Sequence, residues 1–223
     1  MKIAAVYTST TPELIAMVNQ QLQDQFAGQD MEILSYQDPS ILQEARDNGG
    51  LTAGCARRLL SIYEQGVQDG ADVLFNICSS VGDAAVLAKP LYELAGTPFV
   101  RIDEDMAMAA VAAHQRIGVI ATLKTTMEPT KRLIQQCAAR QGKTVQLEEA
   151  LVNAFGADQN TFKQKLVEAG LSLKGKVDAL LFAQGSMAYA EEAVSAAVGL
   201  PVYSSIRFGT RAVKEAADKL AAK

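Results

Sequence analysis

The chain has 223 residues, 49% hydrophobic and 21% charged, with a net charge of −4 and a pI of about 5.1. That composition suits a globular protein of one large α/β domain or two small ones, and it lacks the basic stripe of a nucleic-acid binder. No apolar run reaches the roughly 20 residues of a membrane span. Three cysteines and one histidine, without CxxC spacing, fit neither a disulfide framework nor a zinc cluster.

In chain order, Lys2–Tyr7 (KIAAVY) reads as a strand entered directly, with no signal-peptide h-region, so the expected location is cytoplasmic. The hydroxyl-rich loop 8–11 follows, and Pro12 suits the first turn of a helix over 12–26. A strand over 31–36, a loop with a short helix over 40–48, and an amphipathic helix over 53–70 come next. The segment 71–82, ADVLFNICSSVG, holds a short apolar run that reads as a strand buried on both faces, as in a parallel sheet. It ends in Asn76, Ile77, Cys78, Ser79 and Ser80, before an alanine-rich helix over 84–95. Gly96, Thr97 and Pro98 turn the chain into a strand over 99–102, and Met106, Met108 and the alanines through Ala113 read as a packed helix.

The second half repeats this order. A strand over 116–121 leads to a second hydroxyl-rich loop, 122–126, and a helix over 129–141 beginning at Pro129. A strand over 144–148, a helix over 159–170, a strand over 178–183, a helix over 191–198 and a strand over 202–204 complete it. DVLFNICSSV matches DALLFAQGSM, and LYELAGTPFVRI matches VSAAVGLPVYSSI. Self-similarity in three ordered units predicts two homologous lobes facing one another, the first from 1–97 with 205–223 and the second from 98–204. Asp72 aligns with Asp178, so Cys78 aligns with Gln184, and the two are expected on opposite sides of a common cleft. The hydroxyl loops line that cleft as anion sites, or cap their helices.

Cys78 follows a buried strand and precedes a helix, where backbone N–H groups and the helix dipole favour a thiolate. Binding sites of open α/β sheets lie at that edge. Buried cysteines also serve simply as packing, the reading given to Cys55 and Cys137 within their helices.

With NICSSV at 76–81, GVIATLKTT at 118–126, AQGSM at 183–187 and the strand after Pro201, the chain resembles the aspartate/glutamate racemase superfamily, which includes hydantoin racemases, maleate isomerases and arylmalonate decarboxylase. The resemblance implies two pseudo-symmetric α/β lobes with the active site between them, and no metal or organic cofactor. It also implies a small carboxylate or cyclic amide as substrate and a homodimer as one expected assembly, while the charge and the short apolar runs already argue for no nucleic-acid and no membrane partner. In the family's racemases a cysteine from each lobe flanks the substrate's α-carbon. One removes a proton and the other donates one to the opposite face. Cys78 fits the first position. At the second, Ala183, Gln184, Gly185, Ser186 and Met187 stand where hydantoin-racemase-like members have Gly-Cys-Ala-Gly-Met. The threonine and histidine that follow the second cysteine of glutamate racemases are absent, and Tyr7, Thr8 and Ser9 replace their Asp-Ser-Gly.

An amide does not shuttle protons near neutral pH, so acid/base chemistry falls to Cys78 alone. A single thiol protonates a planar enediolate from one face, as the family's decarboxylase is understood to do, or its thiolate adds to an activated double bond as in the isomerase branch. The expected substrate contacts are Thr8, Ser9, Asn76, Ser79, Ser80, Thr122, Gln184, Gly185 and Ser186. A non-catalytic carboxylate-binding protein is the alternative from another class. A cysteine hydrolase is a third, needing His114 as partner. No GxSxG, GxGxxG or GxxxxGK[ST] pattern occurs. Asp103, Glu104 and Asp105 read as helix N-terminal acids, and Arg207 as a carboxylate clamp or an exposed cation.

Overall fold

The computed structural model describes residues 1–8, 10–153 and 157–222. Ser9, expected at the substrate, lies outside the described residues. The chain divides into two compact units, Met1–Ile102 with Ile206–Lys223, and Asp103–Ser205.

The first unit holds β1 (Lys2–Tyr7), α1 (Pro12–Gln25), β2 (Glu32–Gln37), α2 (Pro39–Asp47), α3 (Ala53–Gln68), β3 (Val73–Asn76), α4 (Gly82–Leu94) and β4 (Phe99–Arg101). Its strands form a parallel sheet in the order β2-β1-β3-β4. The inner strands β1 and β3 are covered on both faces and read as continuous apolar runs, whereas the edge strand β2 alternates. On one face Ala4, Val6, Leu74 and Phe99 pack against Ile41, Leu59, Tyr63, Ala85 and Ala88, with Cys55 buried among them. Gly66 lets α3 come down onto the sheet, since a Cβ there would stand 2.8 Å from that of Ala4.

The second unit holds α5 (Glu104–Ala113), β5 (Arg116–Ala121), α6 (Lys124–Arg140), β6 (Gln146–Leu151), α7 (Gln159–Leu173), β7 (Ala179–Phe182), α8 (Glu191–Val198) and β8 (Val202–Tyr203). Its parallel sheet has the same order, β6-β5-β7-β8. The last helix, α9 (Ser205–Ala221), returns to the first unit. Among the described residues, no helix is long and apolar enough to cross a membrane.

Several boundaries differ from expectation, each for a local reason. The strand after Pro98 pairs with β3, Leu74 to Phe99 and Asn76 to Arg101, so residues 98–102 belong with the first sheet and the chain leaves it after Ile102. Helix α6 begins at Lys124, five residues before Pro129, with the Thr126 and Met127 amides donating to the Leu123 carbonyl at 3.1 and 3.0 Å. Pro129 sits inside the helix, where its ring removes one backbone donor. Gly170 does not end α7. A Cβ there would meet Val198 Cγ2 at 2.8 Å and Leu180 Cδ1 at 3.1 Å, so glycine serves close packing of the helix on the sheet. β6 lies two to three residues later than expected because pairing with β5 sets an edge strand whose polar Gln146, Glu148 and Glu149 hide the alternation.

Candidate active site

In each sheet the strand order reverses at the centre. β1 runs outward to β2, and β3 then lies on the other side of β1, so the carboxyl ends of β1 and β3 open a crevice at a topological switch point. Val6 pairs with Asn76, and two residues beyond each stand Thr8 and Cys78. In the second sheet Ile120 pairs with Phe182, and two residues beyond each stand Thr122 and Gln184. The opposite edges repeat as well. The Asp72 carboxylate accepts from the Lys2 amide at 2.7 Å and the Asp178 carboxylate from the Arg116 amide at 3.1 Å. The equivalence of Cys78 and Gln184 is therefore one of register in two like sheets.

In the first unit the Thr8 hydroxyl donates to Cys78 Sγ at 2.6 Å. A hydroxyl aimed at sulfur stabilises the charged acceptor more than the neutral one. Cys78 is the half-buried cysteine, while Cys55 and Cys137 are fully buried. Its extended backbone leads into a 3-10 turn, Ser79–Val81, that runs on into α4. Ser79 and Ser80 are buried in that turn. Asn76 is buried below it: its side chain accepts from the Tyr63 hydroxyl at 2.7 Å and donates to the Cys78 carbonyl at 3.2 Å. Burial pushes the Tyr63 phenol well above its ordinary value. A charge on Cys78 would add to that rise, and Arg101 opposes it. Arg101 ends β4, is 3% exposed, and rests its guanidinium against Gly82. Of the remaining hydroxyls of the first loop, Thr11 caps α1 by accepting from the Leu14 amide at 3.3 Å.

In the second unit the Thr122 amide donates to Gln184 Oε1 at 2.8 Å, and Gln184 Nε2 donates back to Thr122 Oγ1. Gln184 is thus closed onto the loop that follows β5, with the carbonyl and one N–H of the amide engaged. Gly185 and Ser186 open a 3-10 turn, Gly185–Ala190, half-buried like Gln184. This is the counterpart of the turn after Cys78.

Other candidates lie elsewhere. His114 ends α5 at the amino edge of β5, with Nε2 3.1 Å from the Tyr203 hydroxyl. Thr122 stands at the far end of that six-residue strand, about 20 Å along it. Glu104 pairs with Arg140 and, with Asp105, occupies the first turn of α5, as helix acids do. Arg207 is exposed and lies 4.7 Å above the Phe208 ring. Sequence reasoning passed over Tyr63, which looks like any other apolar-face residue of α3, and Arg101. The second carried a signal: a charge inside the apolar strand TPFVRI requires a buried reason.

The fold recurs in solved structures. An allantoin racemase from Klebsiella pneumoniae superimposes with a TM-score of 0.68 at 18% identity, over 99% of this chain and 89% of that one. A glutamate racemase isoform from Bacillus anthracis gives 0.69 at 15% identity over 98% and 82%. A mutant of arylmalonate decarboxylase in a sulfate-associated form gives 0.57 at 15% identity over 98% and 94%. No curated protein matches the sequence significantly. The description Asp/Glu/Hydantoin racemase covers residues 3–213, nearly the whole length. With its paired switch points and its repeated strand-end loops, the chain belongs to the Asp/Glu/hydantoin racemase family of isomerase-type enzymes.

Proposed function

We propose that this enzyme exchanges the α-proton of a small carboxylate or cyclic amide through Cys78 alone, from one face of the substrate. The observation that carries the reading is the Thr8 hydroxyl at 2.6 Å from Cys78 Sγ, at the switch point of the first sheet, set against a glutamine closed on Thr122 at the equivalent place in the second. The Cys78 thiolate takes the α-proton, leaving a thiol and an enolate-like anion whose charge hydroxyl and amide donors stabilise. The thiol, after exchange with solvent, returns a proton to the same carbon and becomes thiolate again. Atoms and charge balance with water as the only other participant. In the decarboxylating variant of this chemistry the anion arises by loss of carbon dioxide, and the same thiol protonates it. Thr8, Ser79, Ser80 and Asn76 serve the substrate and the turn that carries Cys78, while Thr122, Gln184, Gly185 and Ser186 form the equivalent polar set at the switch point of the second sheet.

The test is deuterium incorporation from D2O into a panel of amino acids, small dicarboxylates and hydantoins, followed by NMR and chiral chromatography. Wild type is expected to exchange at least one class with retention of configuration. Cys78→Ala is expected to lose about 10²–10⁴-fold in rate, the range a positioned acid/base group supplies. Racemisation by the wild type would overturn the one-faced mechanism. Exchange undiminished in Cys78→Ala would overturn the role of the thiol.

A further inference from the structure

We infer that Arg101 is a positioning residue that holds Cys78 as a thiolate, a buried cation that starts beside Asn76 and ends against Gly82, on either side of Cys78 in the chain. The inference rests on the reading of Cys78 as the reacting thiol. The register of β3 and β4 sets Arg101 beside Asn76, two residues before Cys78. The amide of Ile102, next in the chain, donates to the Asn76 carbonyl at 3.0 Å and locks that register. From there the side chain reaches Gly82, four residues after Cys78, so the guanidinium lies against the residue that closes the turn and opens α4.

Gly82 is the imprint of this placement. Its backbone is helical, φ −54 and ψ −34, which any residue adopts. Yet a Cβ would stand 2.5 Å from Arg101 Nη2 and 3.2 Å from its Cζ. Glycine here leaves the space that the guanidinium fills, while the chain's own conformation makes no demand for it. A guanidinium is charged at every accessible pH, and in a water-poor interior its field on a nearby sulfur is weakly screened. The elements around the turn contribute as follows. β1 presents Thr8, a neutral donor, and α3 presents Tyr63, whose phenol burial keeps neutral. α4 carries Asp83 in its first turn and Tyr92 against Tyr63. Asp103, two residues after Arg101 in the chain, is also buried. The two carboxylates oppose the thiolate, and among these groups Arg101 supplies the favouring charge. A neighbouring cation lowers the energy of a thiolate and leaves that of a thiol unchanged.

The test is the pH profile of iodoacetamide alkylation of Cys78 in the full chain, mapped by mass spectrometry; Cys55 and Cys137 are buried and shielded. Arg101→Gln is expected to slow alkylation about tenfold at pH 7, move its midpoint to higher pH, and leave the alkaline plateau unchanged. Arg101→Lys, which keeps the charge, is expected to stay within about threefold of wild type. Gly82→Ala, which displaces the guanidinium while retaining it, is expected to move the midpoint in the same direction by less. It carries the test alone if Arg101→Gln does not fold. An unmoved midpoint in Arg101→Gln, or in Gly82→Ala if that variant stands alone, overturns the inference. So does equal slowing by Gln and Lys with the midpoint fixed, the mark of a steric role. Alkylation needs no turnover, so the role of Arg101 is decided even where the deuterium-exchange experiment fails.

Discussion

Removing the Tyr63 hydroxyl tests whether the Cys78 turn is anchored through buried polar groups rather than by packing alone. In Tyr63→Phe the ring stays in its aromatic cluster, 4.9 Å from Phe99 and 6.0 Å from Tyr92, so the cavity term is small. What is lost is the donor to Asn76 Oδ1, a fully buried acceptor. Leaving one buried polar group unpaired costs about 1–3 kcal/mol. At about 2–4 °C per kcal/mol for a chain of this size, Tm falls by roughly 2–12 °C. Asn76→Leu strands two groups, the Tyr63 hydroxyl and the Cys78 carbonyl, and is expected to cost about 2–6 kcal/mol. The double variant removes both partners of the Tyr63–Asn76 bond. Its destabilisation is expected to fall short of the sum of the single costs by about 1–2 kcal/mol. Thermal melts followed by circular dichroism measure all four corners of this cycle. Additivity to within about 0.5 kcal/mol would refute the coupling and, with it, the idea that Asn76 ties the sulfur-bearing turn to α3.

Stability should fall at alkaline pH through Tyr7 and Tyr63. Burial raises both phenols above their unfolded value of about 10, so below that pH both states are neutral and the contribution is complete, whereas above it the unfolded chain releases protons that the folded one keeps. Each tyrosine then removes up to about 1.4 kcal/mol per pH unit, and urea titrations at about pH 9 to 11 should show a shallower decline in a Tyr7→Phe, Tyr63→Phe double variant. An unchanged slope would refute the assignment. Gln184→Cys should add a second thiol at the position equivalent to Cys78 and convert exchange with retention into racemisation of the same substrate. Continued retention, with the new thiol shown to alkylate, would deny the two positions matched roles.

The internal repeat explains why so much was legible in the primary structure. Asp72 and Asp178 lie 106 residues apart, as do Cys78 and Gln184, and this offset sufficed to pair the cysteine with the glutamine before any strand was placed. β1, β3, β5 and β7 were readable because a parallel strand covered on both faces must be apolar at every position, a pattern that survives without knowledge of its neighbours. The edge strand β6 was not, since half its residues meet water and its limits are set by hydrogen bonds to β5. Pro129 and Gly170 misled for a related reason. Each is a breaker by local preference, and each is overridden by packing that local preference does not contain.

At the site, the sequence by itself determined which groups are present: one thiol at a strand end, hydroxyls after β1 and β5, and an amide where a second thiol would stand. Only the tertiary structure decided what those groups do to one another. That the Thr8 hydroxyl meets the sulfur while Thr11 caps a helix depends on the register between β1 and β3, formed by residues 70 apart. That Gln184 closes on Thr122 depends on the same register in the second sheet. That Arg101 stands beside Asn76 and reaches Gly82 follows from a pairing of β3 with β4 that no local pattern encodes. Hydrogen bonds and ionic fields act over a few ångströms of space, and it is the strand pairings that turn distance along the chain into distance in space.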